Sequence, residues 1–395
     1  MKKILLIHQI FVTPDEPGGT RHYELAKHLV QRGFSVCVIA SRIDYLTGKK
    51  KDKKREIRDG IEIFYCAAFQ SVHRSIFSRA LSFLSFAVSS LWTALTIKKI
   101  DVIWGTSPPI FQAITGFVVA KIRRKKFYFE VRDLWVDFAK ELGLVKSSLL
   151  ITPVKIWEKI LYKFSDKIIV NSPGFVPYVE RHVAPEKVAI IPNGVITKDF
   201  EIQQQTSFFR DRGVKEQFIA IYIGNLGIAN DIENILAAAE RLQQQEIAIV
   251  LMGGGMRFSS FAEEIKTQQL NNVYLFPPQS KSQIPSILAE ASLGIATLKD
   301  ISLFKTTYPN KVFDYMAAKL PTVLAIDGAI REVIENANGG VFVPPGDSEK
   351  LANAIVDYSE NLDIVKEQGE NAFRYVKKYF EREVIAEELV EMFRY

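Results

Sequence analysis

The stretch TTYPNKVFDYMAAKLPT, residues 306–322, sets a lysine, Lys311, in what should be the first turn of a helix opening at Pro309. A cation is poorly placed there, because unpaired N–H groups and aligned peptide dipoles make a helix N-terminus electropositive. An i,i+3 pair with Asp314 would return only about 0.2–0.5 kcal/mol, and the dipole removes a similar amount. An anion such as a phosphate, seated against the helix mouth, would give Lys311 a reason to be there.

Other residue groups could serve the same chemistry. Gly18 and Gly19 precede Thr20 and Arg21 at an expected strand-to-helix turn. A glycine pair lets a ligand approach the backbone amides, and Thr20 can cap the helix through its hydroxyl. A plain tight turn would use the same residues, and the pair is not the GxGxxG dinucleotide fingerprint. Gly253 and Gly254 lie in a GGG run that ends another expected strand. Arg132 and Asp133 directly follow the strand FYFEV (127–131), and the carboxyl ends of parallel strands are where open sheets bind ligands; a surface ion pair is the plainer reading. The five histidines lack metal-ligand spacing and no Asp-x-Asp is present, so neither a metal nor a cofactor is expected.

The elements that must position these residues alternate short β-branched runs with helical stretches, the pattern of parallel βαβ units. Strands are expected at 3–8, 35–40, 61–66, 101–105, 127–131, 167–170 and 188–192, then at 218–224, 248–253, 273–276, 293–297, 322–325 and 340–343. Helices are expected at 20–32, 230–245, 283–291, 310–318 and 379–395. The result is an α/β chain of two Rossmann-like, doubly wound domains, with the boundary at the Pro-Asn-Gly turn of IPNGV (191–195). The domains are 1–195, with the helix 379–395 packing back onto it, and 196–378.

At 395 residues, 48% hydrophobic and 24% charged, the chain is too long for one ordinary core and too apolar to be disordered. MKKILLI reads as a buried first strand, not a secretory signal, and Cys37 and Cys66 as reduced thiols of a cytoplasmic protein. The charge is divided: residues 1–195 carry 31 Lys/Arg against 17 Asp/Glu, and residues 196–395 carry 20 against 28, so +14 and −8. A basic half faces something anionic; without a recognised DNA- or RNA-binding module, nucleic acid is not expected.

Residues 80–97 are uncharged. Ser78, Ser82, Ser85, Ser89, Thr93 and Thr96 recur at helical spacing, with Phe77, Leu81, Leu84, Val88, Leu91 and Leu95 on another face. A membrane-spanning helix has no need of a hydroxyl stripe, so this helix either dips into a bilayer interface or packs internally. The clusters KKKDKKR (49–55) and KIRRKK (121–126) are either solvated or face anionic lipid, which would place the protein peripherally on the inner face of the cell membrane.

Taken in order, PGGTRHYELAKHLVQRG, RDLW, VNSPGF…IPNGV, YIGNLG, GGGMRF…NNVYLFPPQSKSQIPSILAEASLGIATL and PNKVFDYMAAKLPTV resemble a retaining glycosyltransferase of family 4, of the branch acting in bacterial surface-polysaccharide assembly. The resemblance covers nearly the whole chain. It implies the GT-B fold, two domains facing across a cleft, metal independence, and transfer of a hexosyl or acetamidosugar group from a nucleotide-diphosphate sugar, such as a UDP-sugar, to a lipid-linked saccharide. By resemblance, Lys311 meets the diphosphate, Asp314 the ribose, and Arg132 and Asp133 the acceptor side. Gly18, Gly19, Thr20, Arg21, Gly224, Asn225, Gly253, Gly254, Pro278, Gln279, Thr307, Tyr308 and Asn310 surround the donor.

The chain departs from the family in several places. Thr306 and Asp314 stand where relatives carry two glutamates, and the TTYPN segment would offer hydroxyl and backbone donors to the sugar instead. Arg132 stands for a histidine, Asn225 and Asp231 lie where an arginine and a lysine are usual, and Lys319 replaces a glycine. A nucleotide-sugar epimerase on the same fold, or a silent nucleotide-sugar-binding protein, remains open at this level. An isomer formed without acceptor would mark the first, and donor binding without turnover the second.

Overall fold

A computed structural model describes residues 1–44, 48–70, 76–141, 148–201 and 206–394. His73 and the side chain of Phe77 lie outside the described residues. The chain forms two compact units: Met1–Val12, Thr20–Pro192 and Ile385–Tyr395 make the first, and Thr13–Gly19 with Asn193–Val384 the second.

The first unit holds β1 (Lys3–Ile7), β2 (Ser35–Ser41), β3 (Arg55–Arg58), β4 (Ile61–Cys66), β5 (Val102–Ser107), β6 (Lys126–Val131), β7 (Lys167–Val170) and β8 (Val188–Ile190). They lie in the order β3-β4-β2-β1-β5-β6-β7-β8, all parallel except β3. Strand order reverses between β1 and β5, so the crevice at their carboxyl ends is this sheet's topological switch point. Ile4 to Ile7 are fully buried, as expected of a strand covered on both faces. β3 was not foreseen: its charged sequence hid it, although the Asp59-Gly60 turn, with φ 47° and 77°, is a strong hairpin signal. Helices α1 (Arg21–Gln31), α2 (Ile76–Thr96) and α3 (Ile110–Arg123) follow β1, β4 and β5.

The last helix, Arg382–Arg394, is rooted in this unit from Ile385 onward. Its Phe393 ring stacks on Tyr128 at 5.1 Å, and Glu387 meets His28 at 2.8 Å.

The second unit holds β9 (Phe218–Ile223), β10 (Ile247–Met252), β11 (Val273–Phe276), β12 (Leu293–Thr297), β13 (Thr322–Ala325) and β14 (Gly340–Phe342), all parallel in the order β11-β10-β9-β12-β13-β14. The reversal falls between β9 and β12. Lys311 lies on the helix Asn310–Ala317, between β12 and β13. Its face bearing Val312, Phe313, Tyr315 and Met316 is fully buried, which fixes which side chains remain to meet a ligand.

Candidate active site

In the second unit the glycines make the room. A Cβ on Gly253 would lie 1.7 Å from the Gly224 carbonyl oxygen, so only glycine lets the ends of β9 and β10 approach so closely. A Cβ on Gly224 would lie 3.2 Å from both Cε and Nζ of Lys311. The Lys311 ammonium therefore rests against the carboxyl end of β9. It stands 3.5 Å from the centroid of the Tyr222 ring, whose hydroxyl donates to the Asn225 carbonyl at 2.9 Å. Nζ is buried and has no hydrogen-bond partner. Burial pulls its pKa well below the ordinary lysine value. A cation–π contact is worth about 2 kcal/mol at most sites of this kind, less than the several kcal/mol needed to desolvate an ammonium. The position calls for an anion.

Asp314 is not the partner of Lys311. Both its carboxylate oxygens are engaged by Lys281 Nζ, at 2.6 and 2.7 Å. Lys281 was missed in the sequence, since nothing local couples two residues 33 positions apart. The backbone there is held too: Lys281 N–H donates to the Glu16 carbonyl and Ser282 N–H to that of Pro14, which fastens the loop Thr13–Gly19. A Cβ on Gly19 would stand 3.8 Å from Asn310 Nδ2, so the glycine pair and the helix start adjoin. Pro278 closes on Gly254, at 3.4 Å from a Cβ placed there, while Gln279 donates to the Pro277 carbonyl.

Both threonine hydroxyls of the TTYPN segment donate within the fold. Thr306 donates to the Leu303 carbonyl at 2.6 Å and Thr307 to that of Phe304 at 2.8 Å, so toward a sugar these oxygens can only accept. Tyr308 packs its ring on Phe313 and Phe380, and its carbonyl accepts from Asn193 of the Pro-Asn-Gly turn at 2.6 Å.

The first unit gathers a second polar group at the carboxyl ends of β1, β5 and β6. Arg132 donates from Nε to Thr106 Oγ1 at 3.0 Å, and from Nη2 to the Pro108 carbonyl and His8 Nε2, each at 3.3 Å. Glu130 is fully buried and receives Arg21 at 3.0 Å and His22 Nε2 at 2.6 Å. Burial opposes its ionisation, but His22 and Arg21 hold its pKa well below the usual carboxylate range. Burial brings His22 down to about 4 against the pull of Glu130, so His22 is a neutral donor. Burial first, and then His22 and Arg132, pull the His8 pKa well below the ordinary histidine value.

Two expectations are corrected here. Arg21 is inside the fold, bonded to Glu130 and to the carbonyls of Ile191 and Pro192, and does not face a donor. The Thr20 hydroxyl bonds the Glu24 carboxylate instead of capping the helix backbone. Asp133 keeps a buried Oδ1 without a hydrogen bond, and burial, opposed by Arg132, raises its pKa to about 7. His8, His22 and Glu130 carried no sequence signal that set them apart, because they meet only through the sheet.

Two family models account for most of the chain: Glycosyltransferase Family 4 over residues 18–199 and Glycosyl transferases group 1 over residues 217–361. The chain belongs to the GT-B glycosyltransferases. The resemblance and the α/β class expected from the sequence hold. This glycosyltransferase is similar to the Escherichia coli K12 protein WcaI, named for glycosyl transfer in colanic acid biosynthesis, with 23% identity over 89% of this chain and 91% of WcaI. Solved structures share its fold. Sucrose-phosphate synthase from Thermosynechococcus elongatus matches with a TM-score of 0.79 at 18% identity, covering 100% of this chain and 98% of that one. Anabaena HepE, solved with UDP and glucose, matches with a TM-score of 0.76 at 18% identity over 100% of both.

Proposed function

We propose that this glycosyltransferase moves a hexosyl or acetamidosugar group, with retention at the anomeric carbon, from a UDP-sugar to a lipid-linked saccharide in surface-polysaccharide assembly. The observation that carries the reading is the Lys311 ammonium, buried and without a hydrogen bond at the ends of β9 and β10. WcaI, named for colanic acid biosynthesis, and HepE, solved with UDP, support the choice of product and donor.

The donor is assigned to residues 196–378 and the acceptor to residues 1–195 with 379–395. Lys311 takes the diphosphate; Asp314, held by Lys281, takes the ribose hydroxyls. Gly18 and Gly19 approach the diphosphate with their backbone, beside Asn310. Pro278 and Gln279 flank the base, and the accepting oxygens of Thr306 and Thr307 meet sugar hydroxyls. Arg132 and Asp133 line the acceptor side. The bond from the anomeric carbon to the diphosphate breaks while the acceptor oxygen bonds the same face, and the acceptor's proton passes to the diphosphate. The positive charge at Lys311 stabilises that leaving group as it develops. The +14 charge of residues 1–195 favours peripheral contact with an anionic membrane at its cytoplasmic face.

The test is turnover of a UDP-sugar panel by wild-type and Lys311→Ala protein, with the product anomer read by proton NMR. The reading expects retained configuration and a loss of about 100-fold or more in the variant at unchanged fold. Equal turnover removes Lys311 from the mechanism, inverted configuration overturns the front-face route, and an isomer formed without acceptor replaces transfer with epimerisation.

A further inference from the structure

α2 turns Ser78, Ser82 and Ser90 inward together with the rings of Phe83 and Phe86, and turns Leu81, Leu84, Val88 and Trp92 outward. Ser82 Oγ accepts from Gln9 at 3.3 Å, Ser85 Oγ accepts the Phe69 N–H at 2.8 Å, and Ser89 donates to the Ala67 carbonyl. Thr93 meets Cys66. The hydroxyl stripe therefore stitches α2 to the end of β4 and the segment leaving it.

What remains outside is Leu81, Leu84, Val88 and Trp92, exposed by 38%, 49%, 61% and 71%. At about 100° per residue they fall within an arc of roughly 80°, a single apolar face. A helix of a soluble protein presents charge on its outer side, and residues 80–97 contain none. Among the described residues no candidate membrane span is found, so this face is suited to lie on a surface, not to cross a bilayer.

The surroundings identify the surface. Arg123 Nη2 donates to the Leu95 carbonyl at 2.5 Å, which ties the basic cluster 121–126 to the end of α2; Lys98 and Lys99 follow directly, and Ile122 is 60% exposed. Near the other end, Gln70 Nε2 donates to the Gly48 carbonyl at 3.0 Å while Phe69 bonds Ser85. Those two bonds bring the cluster 49–55 beside the same helix. Glu56, Glu62 and Asp101 pair with Lys53, Arg55 and Lys125, and Asp52 lies inside the first cluster, against eleven lysines and arginines in the two clusters.

We infer that the outer face of α2 is a docking surface for an anionic phospholipid bilayer, with Leu81, Leu84, Val88 and Trp92 inserted at the headgroup level and the two basic clusters on the anionic headgroups. Tryptophan favours that depth, and lysine and arginine near the surface add attraction. The inference rests on the membrane contact proposed above and adds that charge alone does not hold the protein there.

The experiment is flotation of the full chain with vesicles of phosphatidylglycerol and phosphatidylcholine, against vesicles of phosphatidylcholine alone. Wild type should float with the anionic vesicles, and its Trp92-dependent emission should shift to the blue. Trp92→Ala with Val88→Ala should reduce the bound fraction by about tenfold or more. Alanine is the better helix former, so helix loss would not explain the result. A double variant that floats as wild type does overturns the docking face while leaving the charge-based contact standing. No flotation of wild type at low salt sinks both. A wild-type dimer that the double variant converts to monomer, with vesicle binding unchanged, gives the face to a second copy and overturns the inference.

Discussion

A buried ammonium packed on a tyrosine face, with no hydrogen bond, is held toward its neutral form in the free protein. Lys311 is in that position, and its depressed pKa has two consequences of definite sign. Between its folded and unfolded values the unfolded chain binds one more proton, so stability rises with pH through that window. A bound diphosphate restores the charge, so binding takes up a proton and affinity falls as pH rises through the same range. Titration calorimetry in buffers of different ionisation enthalpy should show this uptake for wild type and not for Lys311→Met. The same variant should stabilise the free protein by about 1–3 kcal/mol in urea melts, because the buried polar group is gone. Asp133 runs the other way. With a folded pKa near 7 against 3.8, it is protonated in the fold where the unfolded chain is ionised, so stability falls as pH rises from about 4 to about 7. Asp133→Asn should flatten that slope and stabilise the protein at neutral pH by about 1–3 kcal/mol. An unchanged urea midpoint profile would mean the carboxyl is solvated in solution.

At the scale of elements, the helix Asn310–Ala317 ends in a left-handed residue, Lys319, at φ 59°. Glycine enters that region without a Cβ penalty, and the Lys319–Glu370 ion pair, roughly half exposed on both sides, offers little in return. Lys319→Gly should raise stability by up to about 1 kcal/mol, read from the urea midpoint. Every expected strand is present with its ends within two residues of expectation, because parallel strands buried on both faces announce themselves as apolar runs. β3 escaped, as an edge strand of alternating charge in the sequence REIR. Of the site, Lys311 and the glycines were legible because each breaks a local rule: a cation at a helix start, and glycines where strands end. Lys281 on Asp314, and Arg21 on Glu130, were not. Those pairs are set by which strands and loops adjoin, and single-chain spacing contains no trace of it. α2 shows the same limit: its two faces were visible, but which one turns inward depends on the loop that its hydroxyls find.

For the molecule as a whole, the chain divides into a basic and an acidic half, and the diphosphate claim falls on the acidic one. A net charge of −8 over residues 196–395 would repel a nucleotide diphosphate unless a local device overcomes it. In the proposed reading Lys311 is that device, packed against Gly224, where a Cβ would stand 3.2 Å from its Nζ. The phosphates and not the nucleoside should therefore carry the dependence on Lys311. The most direct measurement is calorimetric titration of UDP and of uridine into wild-type and Lys311→Met protein. The account predicts that wild type binds UDP about tenfold or more tightly than uridine and that the variant loses most of this preference while keeping its uridine affinity. UDP bound equally well by both proteins would contradict it.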